Sequence, residues 1–299
     1  MEINYAPSID NKTFCLLENG WSPIPFAIKK ARILLDRNAA TEIKSRFEDG
    51  KIKNGKDDDS IACLVCDSSH LFSCIHYGFE SNTGDFLTVE EIRTEIIKLR
   101  NKIETIFKKV PFVYDLEHEI KLIESLIKEQ REYTQKRTSF LINSMEYISK
   151  NTPYNRRREV WEKICLEATK AGLPKSDIIV LCALGASTAP QCFNIGKKII
   201  KPSKNYSRKD AFNAVCDMAL FELLFNFHKY TDENIVVFTK DKYLAIFYSI
   251  IYKIKVKRES SECLLIDGTI PKYFFIEDRV DTQERDQKDL IFLNNVLKN

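Results

Sequence analysis

Two short apolar runs in this chain each end in an acid and pass at once into a helical pattern. The first is Ile33, Leu34 and Leu35 followed by Asp36, inside ARILLDRNAATEIKSRF (31–47). The second is IVVFTKDKYLAIF, which starts at Ile235 and reaches Asp241 before its own helical pattern. A buried strand leading straight into a helix belongs to an α/β sheet. In such a sheet the carboxyl ends of parallel strands lie along one edge, where ligands bind. Asp36 and Asp241 are therefore expected to converge there.

Composition supports that reading and narrows it. The nine glycines and nine prolines are few for 299 residues, which argues against an all-β fold with many turns. A hydrophobic share of 44% beside a charged share of 30% supplies a packed core and excludes global disorder. Basic residues exceed acidic ones by only 46 to 43, so a nucleic-acid partner must be argued from where the charge sits. The nine cysteines follow no disulfide-like rhythm. No basic-then-apolar leader opens the chain, and no apolar run reaches membrane-span length. These features predict a reducing, cytoplasmic setting without a membrane partner.

The expected organisation has four parts. Residues 1–28 form an irregular segment, 29–87 the first part of the core, 88–150 a helical hairpin, and 151–299 the second part of the core. GKIKNGKDDDS (50–60) reads as an exposed loop, with Asp57, Asp58 and Asp59 solvated. In 60–80, Cys63, Cys66, His70 and Cys74 follow a zinc-knuckle order. The usual longer histidine spacing and turn glycines are missing, so a buried helix is expected there and Zn²⁺ is not. From 88 on, Val89, Ile92, Ile96, Leu99, Ile103, Ile106 and Val110 alternate steps of three and four, a heptad seam. Thr88 with Glu91 makes its capping box, and Asp115 can cap a second helix carrying Leu116, Ile120, Ile123 and Ile127. The second seam weakens through EQREYTQKRT and resumes at Leu141, Met145 and Ile148. The pattern predicts a long antiparallel hairpin inserted beside the core, its polar gap exposed or facing a partner or second copy. Arg156, Arg157 and Arg158 open the next helix and read as surface, with phosphate contact as the alternative.

Between the two strand–acid units, Asp210 opens the strongly apolar helix DAFNAVCDMALFELLF. Converging carboxylates repel one another unless a divalent cation neutralises them, and hard oxygen ligands select Mg²⁺ or Mn²⁺. Each acid also has a capping role open to it. Asp36 can cap the following helix, Asp241 can complement a helix dipole after Thr239, and Asp210 is the third residue after Ser207, a capping-box position.

With LLDRN (Asp36, Asn38), DAFNAVCDMA (Asp210) and VVFTKDKYL (Asp241) in that order, the chain resembles the PIN-domain nucleases. The match covers 31–47 and 206–247. The resemblance implies a PIN-like parallel sheet flanked by helices, one or two Mg²⁺ or Mn²⁺ ions, and phosphodiester hydrolysis by an activated water, with RNA as the expected substrate. Asp36, Asp210 and Asp241 would hold metal. The family's remaining acid is Glu80 or Asp177, with Asp217 as an additional ligand; Glu42 and Glu91 are weaker candidates. Lys197, Lys198, Lys201, Lys204, Arg208 and Lys209, with Tyr206 among them, form a basic stretch suited to single-stranded or structured RNA. Lys253, Lys255 and Lys257 alternate along a strand and read as edge protection. The competing reading is a non-catalytic interaction protein that docks a partner through the heptad hairpin. PIN-like nucleases often serve as toxins or in defence, which is analogy alone.

Overall fold

A computed structural model of the chain describes residues 14–17, 20–22, 30–48, 51–52, 70–81, 83–107, 112–189, 194–230, 235–251, 255–258, 264–267, 274–276 and 283–298. The acidic loop Asp57–Asp59, Cys63 and Cys66 lie outside these residues.

The two runs that end in acids are neighbouring parallel strands. The strands of the main sheet are β1 (Phe14–Leu17), β2 (Gly20–Ser22), β3 (Arg32–Leu35), β6 (Leu71–Ser73) and β7 (Ile235–Thr239). Short strands β4 (Phe47–Glu48) and β5 (Lys51–Ile52) pair apart from it. The sheet order is β2-β1-β7-β3-β6. β3 runs parallel to both neighbours, with Ile33 opposite Val236 and Phe72. β1 joins β7 antiparallel, so the sheet is mixed where a parallel one was expected, and part of the supposedly irregular 1–28 segment forms its edge. β8 (Lys255–Arg258) and β9 (Leu264–Asp267) form a second antiparallel pair, and 274–276 is a turn.

Alternation along the strands separates two apolar layers. Ile33, Leu35, Val236 and Phe238 face one, and Leu34, Ile235 and Val237 the other. Helices cover both faces, which makes the domain α/β. They are α1 (Arg37–Arg46), α2 (Ile75–Phe79), α3 (Val89–Phe107), α4 (Leu116–Ile148), α5 (Arg157–Lys170), α6 (Ile178–Thr188), α7 (Ile195–Ile200), α8 (Arg208–Tyr230), α9 (Lys242–Ile251) and α10 (Gln283–Lys298).

The heptad segment is two helices, α3 and α4, with the caps that its sequence predicts. The Thr88 amide and hydroxyl both donate to Glu91 at 2.8 Å, and the His118 amide donates to Asp115 at 2.8 Å. Its seam is not a free docking face. Ile92, Ile96, Leu99, Ile103, Ile120, Ile123 and Ile127 are buried in the same layer as Ile33 and Phe238. α4 then crosses to the other layer, where Phe140, Leu141 and Ile148 are buried. The polar gap marks this crossing: Glu129, Arg131, Glu132 and Gln135 are exposed as expected, while Thr134, Arg137 and Thr138 are buried. Arg137 there is buried and pairs with Asp177 at 3.0 Å and with Glu222. Tyr133 donates to the same Asp177. Of the three arginines at the start of α5, Arg156 is surface as expected and pairs with Glu159, but the other two are not plain surface. Arg157 is buried against Asp286 at 2.8 Å, and Arg158 donates to Asp289, which ties down α10. No helix among the described residues is long and apolar enough to cross a membrane.

Candidate metal centre at the sheet edge

The carboxyl ends of β7, β3 and β6 deliver four groups to one place. Asp36 follows β3 directly and is 1% exposed. The register sets Leu35 beside Phe238, so the next residues meet and the Thr239 hydroxyl donates to Asp36 Oδ2 at 2.8 Å. β6 leads through Cys74 into α2, whose one and a half turns carry His76 and end on Glu80.

Two contacts fix α2. Glu119 from α4 accepts from the Ser73 hydroxyl at 3.0 Å and from the Cys74 amide at 2.6 Å, and Arg100 neutralises it at 2.6 Å. The α3–α4 seam also presses on Gly78, where a Cβ would stand 2.7 Å from Ile123 Cδ1. Arg37 then ties the end of α2 to α1, donating to the Glu80 carbonyl at 2.6 Å. The expected insertion thus holds the site in position.

Asp36, His76 and Glu80 are all buried, and one ligand atom from each lies within 4.8 Å of the others. Asp36 Oδ1, His76 Nδ1 and Glu80 Oε2 make no hydrogen bond. They are half of the six such buried side-chain atoms among the described residues, which concentrates the deficit here. Buried polar atoms are satisfied in the great majority of cases, so a shared deficit calls for a ligand. The donor chemistry, two carboxylates and an imidazole facing one another, fits a divalent cation.

Asp217, on α8, completes the acidic surroundings and is 8% exposed. Burial, reinforced by Asp36 and Asp241, pushes its carboxyl up to about 8. Burial raises Asp36 as well, against the pull of His76. Burial, then Asp217 and Asp36, drives Glu80 well above the carboxylate range. Burial pulls the His76 imidazole down. Burial thus favours the protonated form of these carboxyls as long as no cation is bound.

Asp241 reaches the same edge after β7. Its Oδ1 caps α9 through the Tyr243 amide at 2.8 Å, and its Oδ2 lies 3.4 Å from Lys201 Nζ. Capping and convergence, set as alternatives in the sequence, hold together here. Asp210 and Asp177 do not join the cluster. Asp210 is exposed in a capping box, accepting from the Ser207 amide and hydroxyl at 2.8 and 2.7 Å, which hold its carboxyl below the usual range. Asp177 caps α6 through the Ile179 amide at 2.8 Å and pairs with Arg137. The acid that α8 contributes is Asp217, two turns beyond Asp210.

The basic stretch divides. Lys201 faces the acids from a left-handed backbone at the end of α7 (φ 53°). Lys204, Arg208 and Lys209 are exposed nearby in sequence. Lys197 donates to Asn151 at 2.7 Å, and Lys198 stands over the Tyr243 ring. Tyr206 is half-buried against the core, so its ring is not presented for stacking as expected. Of the zinc-knuckle residues, His70 Nδ1 accepts from the Ala31 amide at 3.2 Å, and Cys74 is buried at the start of α2.

The candidate ligand that the sequence reading missed is His76. The run around it spaces its cysteines like a helix and hides the three-residue strand β6. No family model, curated protein or solved structure matches this chain.

Proposed function

We propose that the chain is a metal-dependent nuclease acting on RNA, with its centre at the carboxyl edge of the parallel strands. The observation that carries this reading is the set of unpartnered, buried atoms of Asp36, His76 and Glu80, ringed by Asp217 and Asp241. A divalent cation bound there would acidify a water and offset charge on a phosphodiester. Asp36 and Glu80 would hold the ion with His76 beside them, and Asp217 and Asp241 would surround it.

The other groups position and exclude. Thr239 locks Asp36 in one orientation through Oδ2 and leaves Oδ1 for the ligand. Arg37 anchors the Glu80 backbone. Lys201, its side chain 60% exposed, is placed to meet a phosphate arriving at Asp241. Lys204, Arg208 and Lys209 supply further positive charge for an RNA backbone. The PIN-like resemblance supports the same activity through Asp36 and Asp241. It is modified at the helix acid, where Asp217 takes the place expected of Asp210.

The test is cleavage of a labelled single-stranded RNA in Mn²⁺ or Mg²⁺, with chelator as control. Asp36→Asn is expected to lower the rate at least about 100-fold while the circular dichroism spectrum is kept. A purified Asp36→Asn protein that cleaves at the parental rate overturns the reading. The interaction-protein alternative loses its main support, because the hairpin seam is buried within the chain.

A further inference from the structure

We propose that His76 is a direct metal ligand, so that the centre is selective for a first-row transition ion such as Mn²⁺ over Mg²⁺. This rests on the reading of the site as a metal centre and not on the nuclease chemistry.

His76 is fully buried, and its two ring nitrogens face different surroundings. Nε2 points to the Cys216 carbonyl of α8 at 3.5 Å. A carbonyl only accepts, so the ring proton belongs on Nε2. That leaves the Nδ1 lone pair directed away from α8. Nδ1 has no hydrogen-bond partner and stands 3.9 Å from Asp36 Oδ1, which has none either. Glu80 Oε2 is the third unpartnered atom. With both carboxyls ionised, three acceptors turned towards one another without a donor between them are mutually repulsive. A cation among them removes the repulsion.

Two simpler roles for His76 account for less. As a charged partner of Asp36 it should approach to hydrogen-bonding distance, about 2.7–2.9 Å; the separation is 3.9 Å. As a packing residue it would have no reason to keep Nδ1 turned towards two carboxylates. The carbonyl behind the ring is instead the arrangement that orients a ligating histidine and fixes its tautomer.

The donor set decides the ion. Mg²⁺ takes oxygen ligands and sheds its waters reluctantly, whereas first-row transition ions also accept imidazole, Mn²⁺ the least strongly and the later ones more so. An all-carboxylate site accommodates Mg²⁺; one that substitutes an imidazole does not accommodate it as well. His76 thus separates this centre from the purely acidic cluster that the sequence predicts.

The experiment is pulsed electron paramagnetic resonance on the full chain loaded with Mn²⁺ alone, with and without ¹⁵N-histidine labelling. A ¹⁴N-imidazole modulation that changes on labelling is expected, and it disappears in His76→Asn. In competition titrations Mn²⁺ is expected to bind at least about 100-fold more tightly than Mg²⁺, with the ratio falling about tenfold or more in His76→Asn. Bound Mn²⁺ without histidine modulation overturns the proposal, as does equal affinity for the two ions. Both results come from the unaltered chain, so a variant that fails to fold leaves the test intact. RNA cleavage is read separately. Mg²⁺-supported cleavage without histidine coupling removes this inference and keeps the nuclease. Histidine coupling without any cleavage does the reverse.

Discussion

The molecule buries acids in two places and treats them in opposite ways. Where α4 crosses between layers, Asp177 and Glu222 close on Arg137. The guanidinium gives Nε to Asp177 at 3.0 Å and Nη1 to Glu222 at 3.0 Å, and its plane lies over the Tyr133 ring. Asp177 also accepts the Ile179 amide. At the sheet edge, Asp36, Glu80 and Asp217 are equally buried, yet the nearest cations are Lys201 and Arg37 at the periphery, and Arg37 spends its Nη1 on carbonyls. Buried charge with its counter-charge and hydrogen bonds in place is architecture. Buried acids without them mark a candidate site.

The largest effect should come from breaking the satisfied cluster. Arg137→Ala leaves two acids buried without their cation, which costs about 3–5 kcal/mol. Chemical denaturation should show that loss. The variant's Mn²⁺ affinity, measured at a temperature where it remains folded, should stay within about threefold of the parental value. A stable Arg137→Ala protein would mean that the cluster is hydrated, and the contrast would fail.

The unsatisfied cluster makes the opposite prediction in the metal-free protein. Asp217 titrates near 8 when folded and near 3.8 when unfolded. Between these values the folded chain holds a proton that the unfolded chain has released, so stability falls as pH rises through the window. Asp36 and Glu80 are shifted in the same direction. His76, pulled below 6.5, acts oppositely, but only at pH below about 6.5. In chelator, the melting temperature should therefore drop by several degrees from about pH 6.5 to 8.5. Asp217→Asn should flatten the slope, and added Mn²⁺ should restore stability most at the alkaline end. A melting temperature that rises with pH over this range would show that these acids are charged and compensated.

How much of this could be read from the sequence follows from the same contrast. Asp36 and Asp241 were legible because each follows a hydrophobic run with a helix behind it, a local signal. The caps at Thr88 and Asp115 were legible for the same reason. The hairpin's helices were legible, but their burial was not, because a heptad seam looks alike whether it faces a second helix or a sheet. Arg137 read as exposed because its partners lie 40 and 85 residues away. His76 was hidden by the brevity of β6 and by a ligand set assembled from distant elements.

The choice between Asp210 and Asp217 is the smallest of the expected effects and the sharpest on this point. Both lie on α8, and helical spacing alone places them near one face. Asp210 occupies the first turn, where Ser207 satisfies it. Asp217 lies where α8 passes the sheet edge. Asp210→Asn should cost about 1 kcal/mol through loss of the capping box and leave Mn²⁺ affinity and RNA cleavage within about twofold. Asp217→Asn should weaken both while raising metal-free stability at pH 8.5. The reverse pattern, in which Asp210→Asn abolishes cleavage and Asp217→Asn is silent, would return the site to the acid at the helix start and remove α8's buried turn from the chemistry.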